Sequence, residues 1–336
     1  MKQNAEVKSP YLRYGLIRNP FPSIPITSAW SNSPFYEKIF ENEIRQLREI
    51  TLKLRTRSPQ VNFIVGDRGC GKSALLKFFL KKCRKNNSVT SVYMKFGLTA
   101  AFAPLYKSSL WWLGVDSLRK VCIAKSLTRR LPKHFSDFKW NPDLAYRNLL
   151  FIGDNLKFPV FVELLNLFAE DTDIIIGIDG FDNVFPLLTN YQRMDLLYGF
   201  SRLIEGIDGS VALLLNARKN LLVWLKENKS NLEFLGIHRR LIDPIILSVP
   251  NLTLNQAYII VSSFIQEYRI HDFSKDVLFP FSKETLIRLY RQSGGNLRKF
   301  LLLCHDLLSF ALSFNYPSIK EETVSKFLTL YRANLL

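Results

Sequence analysis

The sequence predicts an α/β fold: a parallel sheet sandwiched between helices, followed by a small all-helical domain. Three observations lead there. Val61–Val65 is a short apolar, β-branched run that enters a glycine-rich turn and then an apolar segment with helical spacing. Asp173-Ile-Ile-Ile-Gly-Ile-Asp179 and Ser210-Val-Ala-Leu-Leu-Leu-Asn216 are continuous apolar runs ending in polar residues, the pattern of strands buried on both faces of a parallel sheet. From Asn251 onward the apolar spacing is helical to the end of the chain.

Composition bounds the answer. With 336 residues and 47% hydrophobic content, there is material for one large domain and a smaller one. Forty-six Lys and Arg against 29 Asp and Glu give +17 and a pI near 9.7, which favours a polyanionic partner, nucleic acid first and an acidic membrane surface second. Cys70, Cys83, Cys122 and Cys304 are widely spaced and form no Cys-x-x-Cys pair, which suits a reduced, cytoplasmic chain with no disulfide framework and no zinc site. The first residues lack the apolar core of a signal peptide, and no apolar run reaches membrane-spanning length.

In chain order, residues 1–35 are rich in proline and aromatics and predict an extended arm; Phe21, Ile24, Ile26 and Trp30 need apolar surface to lie on. Residues 36–249 form the expected α/β domain. Apolar residues from Phe35 to about Arg57 recur at helical intervals and predict a helix leading into the first strand. Next comes Gly66-Asp67-Arg68-Gly69-Cys70-Gly71-Lys72-Ser73-Ala74. Its glycines allow backbone conformations that turn successive N–H groups inward as an anion nest, and the following helix adds its positive end. In such a cradle the Lys72 ammonium reaches the β- and γ-phosphates of a nucleotide and the Ser73 hydroxyl ligates Mg²⁺. Lys81-Lys-Cys-Arg-Lys-Asn-Asn87 reads equally as a helix C-terminus and as a nucleic-acid contact. Ser88 to Phe96 predicts the second strand. Residues 97–170 read as mainly helical, with Trp111-Trp112 and the basic set Arg119, Lys120, Lys125, Arg129, Arg130 and Lys133.

The run ending at Asp179 places an acid at the carboxyl edge of the sheet, where such folds bind ligands. Asp179 is expected to hold Mg²⁺ through water opposite Ser73, and Asp182 or a neighbour to orient the attacking water. Asn216, at the end of the next strand, is a candidate sensor of the γ-phosphate. Arg239-Arg240 precedes a last edge strand beginning at Pro244. Residues 250–336 form the expected helical lid domain. Its helices start near Leu252, Ser282 and Ser293-Gly-Gly-Asn-Leu-Arg298, and a last one near Ser318, with Glu321 in a capping-box position.

This order resembles the AAA+ ATPases, and within them the origin-recognition and initiator/loader branch together with the transposition-regulator and ExeA-type ATPases. The likeness covers about residues 11 to 310, beginning with Tyr14-Gly-Leu-Ile-Arg-Asn-Pro-Phe21. It implies ATP as the nucleotide, Asn216 as sensor 1, Arg298 as sensor 2 and Arg239 or Arg240 as an arginine finger offered to a neighbouring copy, hence a ring, spiral or filament. It further implies assembly on duplex DNA with low sequence specificity. The chain departs from the family at Gly180, where a glutamate usually follows the first acid; Asp-Gly-Phe-Asp182 is similar to the STAND/NACHT signalling ATPases. Slow hydrolysis is expected from that departure, and a signalling or defence switch working through protein partners is the alternative function. A protein-directed motor at a membrane is a third.

Overall fold

The computed structural model describes residues 9–23, 35–54, 59–85, 89–95, 162, 165–166, 169–170, 172–271 and 276–333. The sequence expectations for Ile24, Ile26, Trp30, Trp111-Trp112, Cys122 and the basic set from Arg119 to Lys133 lie outside the described residues. Two compact units are present, one of Asn42–Gly66 and Lys72–Val249, the other of Met1–Glu41, Asp67–Gly71 and Pro250–Leu336.

The first unit is built on five parallel strands: β1 (Gln60–Val65), β2 (Val89–Lys95), β3 (Asp173–Asp179), β4 (Val211–Ala217) and β5 (Ile245–Ser248), in the spatial order β2-β3-β4-β1-β5. β1, β3 and β4 are almost wholly buried, as the apolar runs of β3 and β4 require, and β1 buries Asn62 along with its apolar residues. On one face of the sheet, Val61, Phe63, Val92, Ile176, Ile178, Leu213 and Leu215 pack with Phe181, Phe185, Leu197, Phe200 and Leu203. Three of these aromatic side chains come from helices α4 (Phe181–Val184) and α5 (Asn190–Glu205) and the turn between them, and Phe181 meets Phe200 edge-on at 5.8 Å. Because side chains alternate along a strand, Tyr93, Gly177, Asp179 and Asn216 belong to the opposite face. There α3 (Lys72–Cys83) lies so close that a Cβ on Gly177 would stand 2.6 Å from Leu80 and 2.8 Å from Leu76. The edge position expected for the strand after Pro244 is that of β5, which among the described residues pairs only with β1.

The expected single helix from Phe35 is two, α1 (Phe35–Ile39) and α2 (Glu41–Lys53). The break follows from a competing bond: the Ile39 carbonyl accepts from Gln256 Nε2 at 2.6 Å instead of from the next helical turn.

In the second unit, Tyr14 and Phe21 of the N-terminal segment are buried, and Phe21 meets Phe264 at 5.9 Å and Phe281 at 5.6 Å. The segment is one 3₁₀ turn, Pro10–Tyr14, followed by an antiparallel bridge from Leu16 to Arg269. Helices α6 (Lys219–Glu227), α7 (Lys229–Phe234) and α8 (Arg239–Ile242) belong to the first unit, and further along the chain the second unit has α9 (Leu254–Glu267), α10 (Lys283–Ser293), α11 (Leu297–Ser313) and α12 (Glu321–Ala333). Thr253 and Gln256 form a capping box, and Ser282 and Asn296 cap α10 and α11. The last helix begins at Glu321, three residues later than the sequence predicts. Ile319 is held extended by a bridge to Phe281, and its carbonyl accepts from Ser282 N and Thr285 Oγ1. No helix among the described residues is long and apolar enough to cross a membrane.

Candidate phosphate and metal site

The carboxyl ends of the central strands gather the polar residues of the first unit. Asp179 ends β3 with its side chain buried, and three donors converge on it. Ser73 Oγ and Asn216 Nδ2 each donate to its Oδ1 at 2.7 Å, and Tyr93 Oη donates to its Oδ2 at 2.6 Å. Bonds of this length to an ionised oxygen are the stronger kind of hydrogen bond. Ser73 arrives from the first turn of α3, Asn216 from the end of β4 and Tyr93 from β2, so three elements fix the carboxylate that β3 carries. Asn216 is fully buried, and its Oδ1 takes no hydrogen bond among the described residues.

Lys72 is buried, with Nζ 2.9 Å from the Gly66 carbonyl and 3.3 Å from Asp182 Oδ2. The same Asp182 oxygen lies 3.5 Å from Nε of Arg218, whose Nη2 donates to Asn183 Oδ1 at 2.7 Å. Asp182 also helps line a cleft of about 290 Å³ together with Phe185, Arg193, Arg218 and Trp224. Gly180 explains how the second acid comes to be there. It adopts φ 88°, a left-handed turn open to glycine, and starts α4 so that Asp182 lies in its first turn. A glutamate at 180 would be strained in that turn, which gives the departure at this position a backbone cause.

The loop Asp67–Gly71 belongs to the second unit. Gly69 and Gly71 have φ of 90° and 109°. Asn296 Nδ2 donates to the Arg68 carbonyl at 2.7 Å, and the Arg298 N–H donates to the Gly69 carbonyl at 3.0 Å. In a trans peptide the carbonyl and the next N–H point opposite ways, so holding the Arg68 oxygen turns the Gly69 N–H to the other side. A Cβ at Gly69 would sit 2.6 Å from Asn296 Oδ1, and one at Gly71 would sit 2.9 Å from the Phe40 ring. Asp67 and Arg68 are exposed, and Cys70 is buried. Arg298 is half-buried at the start of α11.

Arg239 and Arg240 open the short helix α8 (Arg239–Ile242), which follows α6 (Lys219–Glu227) and α7 (Lys229–Phe234). Arg239 is exposed and Arg240 half-buried. His238 caps this helix by accepting from the Arg240 N–H, and burial first, then the Arg240 charge, lowers its pKa.

Of the residues the sequence singles out, the fold brings Lys72, Ser73, Asp179, Asp182 and Asn216 together in one unit. Tyr93 and Arg218 join them there, and Asn296 holds the loop, none of which the sequence reading named. Alternation counted back from the end of β2 would have found Tyr93, and Arg218 stands two residues past Asn216. The residues present fit a magnesium nucleoside triphosphate. A buried lysine, a serine oxygen beside a fixed carboxylate, and the unpartnered Asn216 Oδ1 supply the complementary groups.

No protein-family model and no curated protein sequence matches the chain. Among solved structures, the ORC2 protein of Aeropyrum pernix, described in ADPNP–ADP complexes, aligns with a TM-score of 0.51 at 18% identity, over 85% of this chain and 66% of that one. A Walker-type ATPase of Pyrococcus abyssi aligns at 0.50 and 14% identity, over 88% and 74%. The chain therefore spans just under two thirds of the length of the ORC2 protein. What the chain shares with these two structures is the fold, a parallel α/β sheet carrying a glycine-rich loop ahead of its first sheet-packed helix, with a helical part after it.

Proposed function

We propose that this AAA+-type chain binds ATP with Mg²⁺ and assembles on duplex DNA in a nucleotide-dependent way, as a replication initiator, loader or transposition-type regulator with slow hydrolysis. The observation that carries the nucleotide half is the convergence of Lys72, Ser73, Asn216 and Tyr93 on Asp179 and Asp182. Bound Mg²⁺ would polarise the terminal phosphate. The Ser73 oxygen and Asp179 would hold that metal, the latter through water, while Lys72 would exchange Asp182 for phosphate oxygens. Asn216 Oδ1 would accept from the attacking water. Slow hydrolysis follows from Asp182, the acid nearest the usual glutamate position, staying paired with Arg218 once Lys72 turns to phosphate.

Net charge carries the DNA half, since +17 on 336 residues favours phosphate backbones over specific base readout. In this reading Arg298 acts as sensor 2, and Arg239 or Arg240 acts as the finger offered to a neighbouring copy within a ring, spiral or filament. Protein partners belong to the same scheme. The buried thiols Cys70, Cys83 and Cys304 suit a reducing, cytoplasmic setting.

A second reading, a STAND-like switch acting through protein partners, is favoured by the Gly180 turn and the Lys72–Asp182–Arg218 cluster. Labelled duplex DNA, titrated with no nucleotide, ATP or ADP at low and moderate salt, separates the two. The DNA reading expects ATP to tighten binding, salt to weaken it along a linear log–log slope, and Lys72→Ala to remove the ATP effect. Binding that is absent, or indifferent to nucleotide and to Lys72, moves the switch reading to first place.

A further inference from the structure

We propose that Tyr93 is a positioning residue for the metal: its hydroxyl fixes the plane of the Asp179 carboxylate so that Oδ1 stays presented to Ser73. The proposal rests on the nucleotide-binding reading above and adds a residue to it.

The argument starts from the strand. Tyr93 of β2 is in register with Gly177 of β3, so its ring lies on the face that also carries Asp179, two residues further along. Gly177 offers no side chain beside the ring, and Lys77 of α3 sets its ammonium 4.7 Å from the ring centroid. The hydroxyl then meets Asp179 Oδ2 at 2.6 Å.

The carboxylate torsion of aspartate is broad and nearly two-fold, so hydrogen bonds decide its setting. Ser73 and Asn216 both donate to Oδ1, which leaves the carboxylate free to pivot about that end. Tyr93 holds Oδ2, and a grip at the second oxygen removes the pivot. Serine can keep donating its proton to Oδ1 while offering a lone pair to a metal. The tyrosine is therefore an outer-shell partner of the kind that orients a ligating carboxylate.

The test is Tyr93→Phe in the full chain, which removes the hydroxyl and keeps the ring. Binding of a fluorescent, non-hydrolysable ATP analogue is titrated in EDTA and then against Mg²⁺, beside thermal melting. The expected result is a half-saturating Mg²⁺ concentration raised about tenfold with affinity in EDTA unchanged, and a melting temperature lowered by no more than the few degrees that one lost hydrogen bond to a carboxylate costs. A Mg²⁺ midpoint equal to wild type overturns the proposal, as does an equal loss of affinity with and without metal, which marks a general structural role. Wild-type protein that binds no nucleotide overturns the reading beneath, and this inference with it.

Discussion

At Asp182 one carboxylate oxygen faces two cations, Lys72 at 3.3 Å and Arg218 at 3.5 Å, with Lys72 and Asp182 both almost fully buried. Removing one partner of a buried ion pair leaves an uncompensated charge and costs about 3–5 kcal/mol, an upper bound where one cation, as here, is partly exposed. Asp182→Asn is therefore expected to lower the melting temperature of the nucleotide-free protein. Because phosphate replaces the missing anion, adding Mg·ATP should then raise the melting temperature by more than it does in wild type. Equal shifts, measured by calorimetry on both proteins, would contradict the exchange of Asp182 for phosphate at Lys72. The chemistry at this scale was partly legible. Glycine spacing and strand-end acids announce Lys72, Ser73, Asp179 and Asp182 because these depend on local sequence. Tyr93 and Arg218 act through partners 86 and 36 positions away, and such pairings exist only once the strands are aligned.

Strand order and helix position come from patterns that local physics dictates, so β1, β3 and β4 stand where their apolar runs fall. The misjudged boundaries were those where a distant group competes with the helix. Gln256 takes the Ile39 carbonyl and ends α1, and the Phe281 bridge delays α12. Nothing in residues 35–57 or 318–321 alone announces either partner. Gly177 is a further case of tertiary constraint hidden in a strand. Its missing side chain lets α3 close on β3, and thereby sets the depth at which Ser73 meets Asp179. Gly177→Ala gains about 0.4–1 kcal/mol from a stiffer unfolded chain but overpacks Leu76 and Leu80 at about 1–3 kcal/mol. A net loss of about 1–2 kcal/mol is expected, read as a drop of several degrees in melting temperature, about 2–4 °C per kcal/mol at this size. A variant that melts at or above wild type would show that α3 has room to spare.

Across the whole molecule, the sheet order β2-β3-β4-β1-β5 puts β4, which carries Asn216, between β1 and the strand that ends in Asp179. Both polar strand ends thus meet α3 on one face, and within the helical unit Asn296 and Arg298 hold the loop Asp67–Gly71. The sequence foretold an α/β part and a helical part, but not that residues 67–71 group with the helices. That grouping goes with one side-chain and one backbone hydrogen bond between segments some 230 positions apart, which no local pattern encodes. The central claim is that this arrangement binds a magnesium nucleotide through Lys72. Calorimetric titration of Mg·ATP into the full chain, wild type beside Lys72→Ala, tests it most directly. The account predicts saturable binding to wild type and at least about a 30-fold weakening in the variant, near 2 kcal/mol for a charged hydrogen-bond donor lost from phosphate. Wild-type protein that releases no heat of binding, or a variant that binds as tightly, would contradict it.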